Sequence, residues 1–153
     1  MNGPKIGNFN PVLSVATVSA DLITKGDMLW QDSGNSNAPR PASAYTWDTN
    51  LLTTQTSFKL LYLGIALDDK PVGSTAAIRI ATDGVFDMTF ASGTLAQGAL
   101  VGPAKASGNA LENQKVAVAV VAGAIGRVTK ANVSAATKAR IRHKATLVVG
   151  AQT

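Results

Sequence analysis

The chain has 153 residues, no cysteine and a single histidine, which excludes a disulfide framework, thiolate metal sites and multi-histidine zinc motifs. Charged residues are 15% and aromatics 5%, yet 46% of residues are apolar, so the composition is that of a folded chain with one core. The net charge of +5 is uneven: residues 1–104 carry six basic and eight acidic groups, whereas residues 105–153 carry eight basic groups against Glu112 alone.

In chain order, residues 1–11 are polar and unpatterned and read as an N-terminal arm that orders on a partner. No apolar run follows Lys5, so a signal peptide is not expected, and the longest uncharged apolar stretch, Val116 to Ile125, is too short to span a bilayer. A soluble protein made in a cytoplasm is the expectation. Residues 12–153 read as one β domain. Strands are expected at Val12 to Val18, Phe58 to Leu67, Ala76 to Thr82, Val85 to Ala91, Lys115 to Ala122 and Ala139 to Val149, separated by Gly, Pro, Asn, Asp or Ser. The expected fold is all-β, a compact barrel or sandwich of short strands. The only helix expected is a turn or two from Val133 to Ala139, capped by Asn132.

Between Asp32 and Ser57 the chain is polar and reads as one long inserted loop. Tyr45 and Trp47 lie in it, either as exposed interface anchors or folded back over the core. Thr82-Asp83-Gly84 reads as a hairpin tip joining its two flanking strands. Lys115 to Ala122 is apolar on both faces, as a central strand would be. The last strand alternates. Lys138, Arg140, Arg142 and Lys144 share one face, and Ala139, Ile141, His143, Ala145 and Leu147 share the other. The basic face is either a guarded, solvated edge or a contact surface for an acidic partner.

Three short blocks recur in the same order. Lys25-Gly26-Asp27-Met28-Leu29 matches Gln97-Gly98-Ala99-Leu100-Val101; Leu63-Gly64-Ile65-Ala66 matches Ile125-Gly126-Arg127-Val128; Ala77-Ile78-Arg79-Ile80 matches Arg140-Ile141-Arg142-His143. The separations are 72, 62 and 63 residues. This predicts two similar β units sharing one core. The first glycine would make a tight turn into a strand, and the second would mark a bulge or a close backbone approach.

The stretches Thr24 to Leu29, Tyr62 to Ala66, Ile78 to Phe86 and Ser92 to Pro103 also carry a resemblance. In this order they resemble the small capsid cement, or decoration, proteins of tailed bacteriophages, over roughly residues 12–149. The resemblance implies a β-rich protein without enzymatic activity or cofactor. It also implies that the chain binds the outside of an icosahedral shell, often as a trimer, and clamps neighbouring major capsid subunits. Its partners would then be the major capsid protein and further copies of itself, and its place the virion surface.

The residues offer little for catalysis. His143 is the one imidazole and sits on an apolar face, which favours a core role. Asp68 and Asp69 are adjacent and need not converge; a turn accounts for them. Phosphate-binding glycine motifs and calcium-loop spacing are absent. The alternative function is a basic β-barrel that binds nucleic acid, but residues 105–153 contain no Phe, Tyr or Trp on which bases would stack.

Overall fold

In the computed structural model of the protein, the described residues are 12–90, 95–130 and 138–146. They form ten strands and one α-helix. The first five strands, β1 (Val12–Val15), β2 (Met28–Asp32), β3 (Ala38–Pro41), β4 (Tyr62–Ala66) and β5 (Ile78–Ala81), make a sheet in the order β1-β5-β4-β2-β3. The second five, β6 (Asp83–Phe90), β7 (Leu100–Lys105), β8 (Leu111–Val118), β9 (Gly126–Lys130) and β10 (Lys138–Lys144), close into a barrel in the order β10-β6-β8-β7-β9. The all-β expectation holds, with one helix, α1 (Leu51–Leu61), added.

The two halves are copies of one another. Written from its first strand, the second half runs β6-β10-β9-β7-β8, which is the first half's order shifted by five. The register repeats as well. Leu29 faces Gly64 in the first half, and Val101 faces Gly126 in the second. Val15 faces Ile78, and Phe86 faces Ile141. Turn bonds recur in the same places: Gly26 N–H donates to Ala66 O and Gly98 N–H to Val128 O, both at 2.8 Å. The halves differ in closure. In the second, β8 pairs in parallel with β6 through Thr89↔Lys115 and Phe90↔Val116, sealing the barrel. In the first, β3 reads Ala-Pro-Arg-Pro, and its two prolines have no N–H with which to bond a further strand.

Both glycine readings are physical. Gly26 and Gly98 sit at φ +100° and +86°, the turn conformation an L side chain resists. At Gly126 a Cβ would lie 2.5 Å from Arg142 O and 2.8 Å from Ile141 Cγ2. At Gly64 it would lie 2.8 Å from Ile80 Cγ2 and closer still to the Ala81 carbonyl. Equivalent glycines therefore admit equivalent neighbouring strands.

One apolar cluster fills the first half: Ile23, Leu29, Leu63, Ala66, Ile78 and Ile80. A second spans both halves, from Met28, Trp30, Phe58 and Tyr62 to Phe90, Val101, Leu111, Val128 and Ile141. The segment before β2 is pinned by polar groups. Arg40 Nε donates to Asp21 Oδ2 at 2.9 Å, its Nη1 reaches Asp32, and the buried Lys70 ammonium donates to the Val18 and Asp21 carbonyls.

Four expectations need correction. Residues 32–57 are not one loop. They contain 3₁₀ turns at Ser33–Asn35 and Ala42–Ala44, strand β3 and the start of α1. The helix escapes an apolar-periodicity reading because two of its buried residues, Thr54 and Gln55, are polar. Asn50 Oδ1 caps it by accepting from Thr53 N–H at 2.9 Å, and Thr54 and Thr56 turn their hydroxyls back onto carbonyls four residues earlier. Phe58 to Leu61, expected as strand, is the last turn of this helix. Thr82-Asp83-Gly84 is no hairpin, because β5 pairs with β1 and β4 while β6 pairs with β10 and β8; Thr82 is where the chain crosses from sheet to barrel. Finally, Lys115 to Ala122 is not buried on both faces. β8 ends at Val118, and Val118, Val120 and Val121 are exposed. The expected arm at 1–11, Leu147 to Val149, and residues 133–137 of the expected helix lie outside the described residues, whereas its last two, Lys138 and Ala139, are strand and begin β10.

Candidate functional site

The expected basic face is present. Along β10 exposure alternates strictly: Lys138, Arg140, Arg142 and Lys144 point to solvent, while Ala139, Ile141 and His143 are buried. The strand is not an edge, since it pairs with β6 on one side and β9 on the other. Pairing widens the cationic surface: Arg142 lies opposite Arg127, and Arg140 opposite Lys130. Like charges directly opposite one another are unfavourable in a sheet, so this arrangement is a stability cost. Two carboxylates on β6 relieve part of it. Arg140 Nε meets Asp87 Oδ1 at 3.1 Å, and Arg142 Nη2 meets Asp83 Oδ2 at 3.3 Å. Among the described residues, Lys130, Lys138 and Lys144 pair with no carboxylate. The face therefore remains cationic, and its exposed pairs contribute less than about 1 kcal/mol each.

Tyr45 and Trp47 take the second of their two readings, folded back onto the core. Tyr45 makes edge-on contacts with Trp30 at 4.9 Å and Phe58 at 5.4 Å between ring centroids. Trp47 packs against the same cluster with the Lys105 ammonium 5.2 Å above its ring. They brace α1 against β2, and the structure does not bring them to the basic strand.

His143 is a core residue. It occupies the place that Ile80 holds in the first half, and its Nδ1 lies 2.9 Å from the buried Tyr62 hydroxyl. This bond ties β10 of the barrel to β4 of the open sheet. Burial pulls the imidazole pKa down to about 4, opposed by the nearby Asp83 carboxylate. Its Nε2 and Asp83 Oδ1 are buried without hydrogen-bond partners. Asp68 and Asp69 do not converge. Asp68 grips Arg79 through Nη2 at 2.7 Å, which holds its pKa down at about 2, and Asp69 accepts from the Lys25 N–H. Among the described residues no group of three or more His, Asp or Glu side chains is placed to hold a metal ion.

A cleft of about 430 Å³ opens beside the basic face, where α1 and the Val121–Gly123 turn meet β9 and β10. Lys59, Arg127, Arg142 and Lys144 rim it, Leu100, Ile125 and Ala145 line it, and His143 forms part of its wall. No carboxylate lines it. Comparison with known proteins adds no relative: neither a scan against protein-family models nor a search of curated proteins found a match.

Residue-by-residue reading missed Lys59, Arg127 and Lys130, because each lies far in sequence from Lys138–Lys144. The repeat contained the signal for Arg127. Its Ile-Gly-Arg-Val block corresponds to β4, whose partner β5 corresponds to β10, so Arg127 had to lie beside the basic strand.

Proposed function

We propose that this chain is a non-enzymatic structural virion protein that decorates the outer surface of an icosahedral phage shell and cements neighbouring major capsid subunits. The observation that carries the docking part of this reading is the solvent-facing β9–β10 surface. Six cations, Arg127, Lys130, Lys138, Arg140, Arg142 and Lys144, meet only Asp83 and Asp87 across the strand pairs. Such a surface steers and aligns a partner of opposite charge. The sequence resemblance to cement proteins supports a capsid as that partner.

The mechanism is linkage. A protein that binds the assembled, expanded shell and not its separate subunits shifts the equilibrium toward the shell. An oligomer, such as the trimer the resemblance implies, touches several capsid subunits, so later contacts form intramolecularly. The nucleic-acid alternative is less well supported, because the basic strand pair carries no aromatic side chain among its exposed residues.

The test is co-sedimentation with purified shells. Lys138 and Lys144 are exposed and have no carboxylate to lose, so Lys138→Glu/Lys144→Glu should fold normally and bind shells at least about tenfold more weakly. Full occupancy by this variant would remove the basic strand from the interface.

A further inference from the structure

We propose that the cleft between α1 and the β9–β10 pair is a specific binding site for an acidic, apolar-flanked peptide segment of the docking partner. This rests on the reading of the basic face as a docking surface and names where on it the partner is gripped.

Two independent features converge there. Lys59 from α1, Arg127 from β9, and Arg142 and Lys144 from β10 come from three elements to one rim, with no acid in the lining. Lys59 donates to Val121 O at 2.8 Å and Arg127 to Gly98 O at 3.2 Å, so backbone carbonyls hold these two cations in place. Pre-positioned cations lose less freedom on binding than free ones. The second feature is apolar. The cleft lining includes Leu100 and Ile125 together with Val121, which is 70% exposed. An ion-only site would not need an apolar lining.

Charge complementarity selects the occupant. Arg142 is already paired with Asp83 at 3.3 Å, and the three remaining cations, Lys59, Arg127 and Lys144, with an apolar floor fit glutamate or aspartate side chains alternating with aliphatic ones. Nucleic acid would leave this apolar lining against solvent.

The probe is a fluorescein-labelled peptide alternating glutamate with leucine, with its glutamine counterpart as control, read by fluorescence anisotropy. Two double variants change net charge equally: Arg127→Gln/Lys144→Gln inside the cleft, and Lys130→Gln/Lys138→Gln outside it. We expect the first to weaken peptide binding about tenfold or more and the second to weaken it less than about twofold. Equal losses, or equal binding of the glutamine peptide, would overturn the site. Tighter binding of a single-stranded oligonucleotide, lost in the same variant, would overturn the peptide assignment. Shell co-sedimentation separates the two readings. A cleft variant that keeps full shell occupancy overturns the cleft while the shell reading stands. Wild-type protein that grips the peptide at the cleft but never binds shells supports the cleft and overturns the shell reading.

Discussion

His143 gives a stability that depends on pH in a defined window. Its ring is buried against Phe86 and bonded to Tyr62, and burial lowers its pKa from 6.5 to about 4. The nearby Asp83 carboxylate opposes the shift, and the flanking Arg142 and Lys144 side chains point to solvent. The sign follows from proton uptake. Between pH 6.5 and 4 the unfolded chain binds this proton and the native chain does not, so stability falls as pH falls. The contribution is fully present above about pH 6.5 and is lost by about pH 4. A displacement of this size corresponds to roughly 3 kcal/mol, a large share of a small domain's stability. Carboxylates titrate in the same range, so the measurement is a difference. Urea denaturation of the wild type and of His143→Leu/Tyr62→Phe, which removes both partners of the buried bond, is compared at steps from pH 7.5 to 4.5. The wild type should lose about 2–3 kcal/mol more than the variant across that range. Parallel pH profiles would refute the buried, neutral imidazole.

Two further outcomes follow from the duplicated fold and the helix. Gly64→Ala and Gly126→Ala each force a Cβ against a neighbouring strand's backbone, and thermal melts should show each destabilised by about 2 kcal/mol or more, whereas Gly73→Ala, with open space at its Cβ, should lose less. Asn50→Ala removes the cap of α1 and should cost about 1 kcal/mol in chemical denaturation, with Asn50→Asp close to wild type.

The fold was legible where the sequence repeats itself. Matching glycines fixed which strands correspond, and the structure gives those strands the same neighbours and the same register from Leu29↔Gly64 to Val101↔Gly126. The alternation along Lys138–Lys144 was legible for the same reason: a period of two with charge on one side leaves one arrangement. What failed were readings that treated a segment in isolation. The helix at Leu51–Leu61 hides its buried face behind Thr54 and Gln55, whose polar groups find bonds only in the folded chain, Gln55 Nε2 donating to Pro103 O at 2.9 Å. Val118 to Val121 looked like core because apolarity alone does not separate a buried strand from an exposed stretch. Asp83-Gly84 carries hairpin chemistry, yet the boundary between the two β units falls on it and sends its flanking strands to different sheets. The cleft draws on residues 59, 127, 142 and 144, a set that only the sheet register and helix docking bring together.

The most direct measurement of the central proposal is the copy number of this chain in purified virions, by quantitative mass spectrometry against the major capsid protein. A shell-decorating cement protein predicts hundreds of copies in fixed ratio to the major subunit, on the order of the multivalent occupancy the mechanism needs. Absence from the particles would contradict it.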